Sequence, residues 1–237
     1  HCPDYKFLEL EEAKQIILDL FKDFQFVEES DKARAVACLI MPAMCHAGLL
    51  KDDCRPLVMV SSDKEGAGKG TLIQFLVYPY DEDPPMITQS DSAAANIDEK
   101  IGHAIHTGKN HIVLDNLKPT RQMKELASPF LESLITSSST PFREAHGRST
   151  TLNTRHVTNY ITTNGISLSK DLADRSLFVS IRHRGNGFAF QEFDGGIKNY
   201  LIEKRPMIMS AVYTVIKEYV SQGKGQTKPV EQGRIQA

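Results

Sequence analysis

The sequence of 237 residues is short of every feature that would stabilise it from outside its own core. Its four cysteines, Cys2, Cys38, Cys45 and Cys54, form no CxxC pair, and the eight histidines do not fall at ligand intervals around them. A disulfide framework and a structural zinc cluster are thereby excluded, and free thiols in a reducing compartment are expected. No apolar run approaches the roughly 18 residues of a membrane span, and no signal peptide opens the chain. The expectation is a cytoplasmic protein with no membrane partner. Neither sign of charge is in excess: 28 basic against 30 acidic residues give a formal net charge of −2. Coating of nucleic acid by bulk charge is excluded, so any such contact has to come from a local patch. There is no internal repeat and no low-complexity tract. The first residue is His1 rather than methionine, so a piece of a longer protein is expected.

What is present is the composition of an ordinary globular domain, 41% hydrophobic and 24% charged. At this length roughly three quarters of the unfolded chain's surface can be buried, so a core can form without staples. Leu10, Ala13, Ile17, Leu20, Phe21 and Phe24 recur at three- and four-residue steps and predict an amphipathic helix. A second helix is predicted from an N-cap at Ser30 or Asp31, bent or ended by Pro42. After Pro56 the pattern changes. Leu57-Val58-Met59-Val60 and His111-Ile112-Val113-Leu114 read as buried parallel strands, Met86-Ile87-Thr88 as a weaker one, and 157–163 and 177–181 as further β segments. Helices are predicted over 93–107, over 122–135 with a break at Ser128-Pro129, and around Ile208, Val212, Ile216 and Tyr219. The alternation defines an α/β protein with a mainly parallel central sheet flanked by helices. The expected division is an N-terminal helical cap (1–55), a core (56–190) and a C-terminal helical segment with a polar tail (191–237).

Between the strand at 57–60 and a helix opening at Leu72 stands Ser62-Asp63-Lys64-Glu65-Gly66-Ala67-Gly68-Lys69-Gly70-Thr71. A phosphate needs converging backbone N–H donors, which glycines allow by tight curling. A lysine then neutralises the outer phosphates, a hydroxyl binds Mg²⁺, and the helix N-terminus adds its dipole. Gly66, Ala67, Gly68, Lys69, Gly70 and Thr71 supply these parts; Asp63 replaces the usual first glycine, and Gly70 separates lysine from hydroxyl. The alternative is a glycine-rich turn without a ligand. Such a site needs a carboxylate at the end of a neighbouring buried strand, and Asp115 follows Leu114 directly; it could instead cap a turn. The next residue is Asn116, where motor ATPases commonly have a glutamate that polarises the attacking water. An amide cannot take that proton, so Glu99 on the preceding helix is the candidate base, against a solvated helix face. Asn164 ends the β segment 157–163 at the sheet edge where ligands of open α/β sheets bind, as a water-orienting amide or a turn-forming Asn-Gly. Arg175, in Asp171-Leu172-Ala173-Asp174-Arg175, could reach an adjacent subunit's γ-phosphate or pair with Asp171 or Asp174.

In this order the motifs resemble the P-loop ATPase domain of primase-helicase proteins of phages, plasmids and other mobile elements, over roughly residues 8–222. The resemblance is to AAA+-type or superfamily 3-like modules. It implies a P-loop NTPase fold, ATP and Mg²⁺ as cofactors, a homo-oligomeric ring, expected to be a hexamer, and movement on single-stranded or forked DNA. It gives Lys69 and Thr71 the Walker A roles, Thr71 and Asp115 the magnesium, Asn164 the sensor 1 role, Arg175 the arginine finger and Arg205 a sensor 2 role. Between Walker B helix and sensor strand, Arg143, His146, Arg148, Arg155 and His156 flank Gly147 in a stretch readable as two short strands and a turn. Related ring helicases project a hairpin from this location into the pore, which would make Arg143, Arg148 and Arg155 DNA-binding residues; a solvated hairpin or a subunit contact is the alternative. Three functions follow: an ATP-driven helicase or translocase, a nucleotide-dependent assembly module with slow turnover, and a nucleotide kinase. The last is favoured only by Gly68-Lys69-Gly70-Thr71 and lacks the arginine-rich lid a kinase needs.

Overall fold

A computed structural model describes residues 5–50, 55–88, 94–121, 123–143, 149–185 and 191–223. In chain order the elements are α1 (Leu10–Leu20), β1 (Gln25–Phe26), α2 (Glu29–His46), β2 (Leu57–Ser62), α3 (Lys69–Val77), β3 (Met86–Thr88), α4 (Ala94–His106), β4 (His111–Leu117), β5 (Glu125–Leu126) and α5 (Pro129–Thr136). There follow β6 (Ser139–Arg143), β7 (Ser149–Asn153), β8 (Thr158–Thr163), β9 (Ser167–Leu168), α6 (Lys170–Ala173), β10 (Ser176–Arg182) and α7 (Gly196–Ser221). This is a mixed α/β fold whose central sheet is mostly parallel and flanked by helices, as the alternation of the sequence predicts. The described residues form two compact units, one within 5–49, 62–83 and 179–223, the other within 50–61 and 84–178.

In the first unit α1 buries Ala13, Ile17 and Leu20, and α7 buries Leu201, Ile208, Val212 and Ile216; the two helices pack on each other. The rings of Phe21, Phe24 and Phe26 gather at centroid distances of 6.3–6.5 Å, and Phe75 of α3 stands edge-on to Phe24 at 5.7 Å. Aromatic packing of this geometry fixes α3 against the N-terminal helices. α2 starts earlier than its sequence suggests. Glu28 is the N-cap and Asp31 sits at N3, each side chain accepting from the other's backbone in a capping box. Asp31 is buried and also accepts from Ser180 N (3.0 Å) and Arg34 Nη1 (3.1 Å), which offsets its loss of water. Pro42 lies inside α2, which continues to His46. β1 pairs antiparallel with the Val179–Arg182 half of β10.

The second unit holds β2, β8, β4 and β3 side by side, all parallel, with the Ser176–Phe178 half of β10 next to β2. Leu57, Val58 and Val60 of β2 and Ile112 and Val113 of β4 have no exposed surface. That burial on both faces is why these strands read as unbroken apolar runs. One face of the sheet and α4 share a core that includes Ile97, Ile101, Ile112, Leu114, Ile161 and Leu172. The helix predicted over 122–135 begins only at Pro129: Ser128 caps it by accepting from Leu131 N (3.0 Å), while Glu125–Leu126 before it pairs with β9 instead. The β6–β7 hairpin is antiparallel, with Arg143 opposite Ser149. Cys38 and Cys45 are buried and in no disulfide, and burial pushes the Cys38 thiol up to about 12. Among the described residues no helix is long and apolar enough to cross a membrane.

Candidate functional site

The glycine-rich loop belongs to the first unit and leads straight into α3. Gly66 and Gly68 hold φ of 79° and 91°, in the left-handed region that side chains avoid. An added Cβ at Gly66 would meet only the His183 ring, at 3.8 Å, so conformation rather than space requires a glycine there. Gly68 is the N-cap, and α3 opens at Lys69, three residues before the predicted start. The backbone N–H groups of Lys69, Gly70 and Thr71 therefore fall in the first helical turn, where they have no intrahelical acceptor and face an anion favourably. Asp63 explains the missing first glycine. Its φ is not positive, and its carboxylate accepts from His183 N at 2.8 Å, which ties the loop to the end of β10 and holds Asp63 below the ordinary carboxylate range.

Ser62, to which the sequence pattern assigns no role, joins two residues of the loop. Its hydroxyl accepts from Lys69 Nζ (2.8 Å) and donates to Lys64 O (2.6 Å). The lysine is thereby held back along its own loop. Gly70 has open space around its missing Cβ, and Thr71 is half-buried in the first turn of α3. This donor set, with glycine backbone, helix N-terminus, lysine and hydroxyl on one strand–loop–helix, fits a polyphosphate.

The second unit carries a separate polar cluster at the C-terminal ends of β4 and β8. Asp115 is half-buried and accepts from Thr162 Oγ1 at 2.6 Å. Asn116 is exposed with φ of 58°, the one described non-glycine residue in the left-handed region. Its Oδ1 accepts from Asn164 Nδ2 at 2.6 Å, so the structure brings Asp115, Asn116 and Asn164 together. Asn164 N also donates to Leu117 O (2.9 Å), and Gly165, at φ 92°, makes the turn that ends β8. Among the described residues no group of three His, Cys, Asp or Glu could cage a metal, so Asp115 offers a single carboxylate of the kind magnesium bridges through water.

The other candidates are placed less centrally. Glu99 is exposed on α4, whereas its neighbour Asp98 turns inward, accepts from Ser128 Oγ (2.7 Å) and is raised by burial. Arg175 faces neither Asp171 nor Asp174 in an ion pair; its guanidinium lies 4.0 Å from Glu132 of α5, and its carbonyl accepts from Leu57 N. Arg205 of α7 donates to Tyr78 O (3.0 Å) and Glu82 Oε1 (2.8 Å), at the C-terminal end of α3. At 1.5 Å per residue that end is about 13 Å along the helix from Lys69. Arg143 is exposed on β6, and Arg155 is exposed just past β7. Arg148, with His146 and Gly147, lies outside the described residues.

The fold and these two sites define a mixed α/β protein with a mostly parallel central sheet, with a strand, a glycine-rich loop and a helix at one site and a carboxylate with two amides at the other. No family model and no curated protein matches the chain. Among solved structures, the C-terminal region of NrS-1 in an apo form is similar in fold, with a TM-score of 0.52 and 15% identity. The similarity covers 88% of this chain and 46% of that one, so this chain spans about half the length of that region.

Proposed function

We propose that the chain is the ATP-binding and hydrolysing module of an oligomeric DNA helicase or translocase of the primase-helicase type. The observation that carries the reading is the loop of Gly66 to Thr71: two left-handed glycines and three first-turn N–H groups beside Lys69, on a helix preceded by a parallel strand. In this reading Lys69 neutralises the outer phosphates, Thr71 and Asp115 are the magnesium ligands, Asn164 orients the attacking water and Arg175 serves an adjacent subunit as finger. Magnesium, when bound, offsets charge on the phosphate oxygens. Arg143 and Arg155 would follow DNA phosphates from the hairpin of a ring. Arg205 is better accounted for as a brace between α7 and the end of α3 than as a nucleotide contact.

Asn116 favours a second reading, a nucleotide-dependent assembly module with slow turnover. Its side chain already accepts from Asn164 and offers no base. An ATPase assay with and without single-stranded DNA, alongside a mass measurement with a non-hydrolysable ATP analogue, separates the two. DNA-stimulated hydrolysis and analogue-dependent assembly support the motor; assembly with little hydrolysis supports the second reading. ADP formation that requires AMP overturns both in favour of a kinase.

A further inference from the structure

We propose that Thr162 is a positioning residue that fixes the Asp115 carboxylate for its metal, an inference that rests on the reading of Asp115 above. The register of β4 and β8 is regular from His111 opposite Thr158 to Leu114 opposite Ile161, and resumes with Leu117 opposite Thr163. Two residues of β4, Asp115 and Asn116, therefore stand against the single Thr162. This is a bulge, a device that re-aims a side chain next to a site and leaves a backbone group without its ladder partner. Thr162 repairs the break with its side chain. Its hydroxyl accepts a hydrogen bond from Asn116 N at 2.6 Å and donates one to Asp115 Oδ1 at 2.6 Å. A hydroxyl has one donor and two acceptor positions, and here a donor and an acceptor are both spent on the two bulge residues.

The oxygen atom that does this is sealed off. Thr162 is only 2% exposed, in the middle of a sheet where valine would serve packing equally well. One oxygen of Asp115 is held by a buried donor, which restricts the plane of the carboxylate. The same hydroxyl sets the backbone of Asn116, whose side chain receives Asn164. Thr162 thus holds the carboxylate directly and the sensor amide through Asn116. Partners of this kind around a metal-binding carboxylate change metal affinity by about 10- to 100-fold when removed.

The test compares Thr162→Val, which keeps the shape and removes the hydroxyl, with Thr162→Ser, which keeps the hydroxyl. Binding of a fluorescent ATP analogue is measured in excess Mg²⁺ and in excess EDTA. Thr162→Val is expected to lose about 10-fold in affinity with Mg²⁺ and nothing in EDTA, and Thr162→Ser is expected to behave as the wild type in both. Equal loss in the two conditions, no loss in either, or a serine variant that behaves like valine would overturn the assignment. If the valine variant does not fold, Thr162→Ala replaces it, and a normal Mg²⁺ response there has the same overturning force. A wild-type chain that binds no analogue in either condition instead refutes the nucleotide reading itself.

Discussion

Gly102 provides a test of the fold in which the sign of the effect decides. It lies within α4, where replacing glycine by alanine ordinarily stabilises by about 0.5–1 kcal/mol because the helix loses less backbone entropy. Here a Cβ would stand 2.1 Å from Phe142 Cε2 and 2.3 Å from Phe142 Cδ2. Carbon atoms approach to about 3.5 Å at best, so the ring would have to retreat by about 1.4 Å. It has little room. Phe142 is 7% exposed and packs against Phe130 at a centroid distance of 6.0 Å. Overpacking of this kind costs about 1–3 kcal/mol, which exceeds the helix gain. Gly102→Ala is therefore expected to destabilise by about 1–2 kcal/mol, a fall in Tm of about 2–8 °C for a chain of this size. Thermal unfolding followed by circular dichroism reads it. Gly102→Ala combined with Phe142→Leu should recover part of the loss, because the two side chains share one space. A rise in Tm for Gly102→Ala alone would show that Phe142 does not occupy the notch, and the docking of the β6–β7 hairpin on α4 would be wrong.

Three further outcomes follow from the sites. Arg175→Ala should leave ATP binding nearly intact and cut turnover by about 10³-fold, whereas Lys69→Ala should lose binding; mixing the two inactive variants should restore activity, and a stable mixed oligomer that stays inactive refutes a shared site. Arg205→Ala should lower stability by about 1–2 kcal/mol through its lost bonds to Tyr78 O and Glu82, yet leave ADP affinity unchanged in a titration; a large loss of affinity would restore it as a nucleotide contact. Asp63 has a folded pKa below its ordinary value, so its contribution is present above the usual carboxylate range and is lost as pH falls through the depressed folded value. Asp63→Asn should make the acid side of the urea-midpoint curve shallower, and a variant whose acid limb matches the wild type would contradict the bond to His183 N.

The strands that place both sites were legible because burial leaves little freedom. A buried parallel strand has to be apolar on both faces, so Leu57-Val58-Met59-Val60 and Ile112-Val113-Leu114 announce themselves. The hairpin at 139–153 was legible from its β-prone polar residues and the turn between them. The short pairing of β5 with β9 was not, since two-residue strands carry no period, and Met123, Leu126 and Leu131 happen to fall at spacings a helix would use. The length of α7 was also hidden. The sequence marks only its part around Ile208, Val212, Ile216 and Tyr219, yet the helix runs back through Pro206 to Gly196, because proline removes one hydrogen bond while Leu201 before it and Ile208, Val212 and Ile216 after it remain buried. At the sites, glycine, lysine and the carboxylate were found by residue type. Ser62 and Thr162 were missed because a hydroxyl in a strand looks like an ordinary β former; only pairing shows what it touches. Polar residues at buried positions of a central strand were the available signal: Thr158, Asn159, Thr162 and Thr163 of β8 are all buried.

Asn116 joins the two levels. From the sequence it is a deviation, an amide where a motor ATPase carries a glutamate. From the backbone it is what the position demands. A bulge that leaves its second residue at φ 58° strains an ordinary L-residue by roughly 1–2 kcal/mol, and asparagine is among the few side chains that adopt this region readily. A glutamate at this position would bear that strain and would add a second carboxylate beside Asp115. With asparagine the bulge is satisfied three ways, by Thr162 at the backbone, by Asn164 at the side chain and by the left-handed preference itself. The absence of a carboxylate at position 116 and the shape of the strand are therefore one feature. A chain that keeps this bulge holds the Asp115 carboxylate and the Asn164 amide in fixed register, and under the proposed hydrolysis it would have to take its proton acceptor from another element.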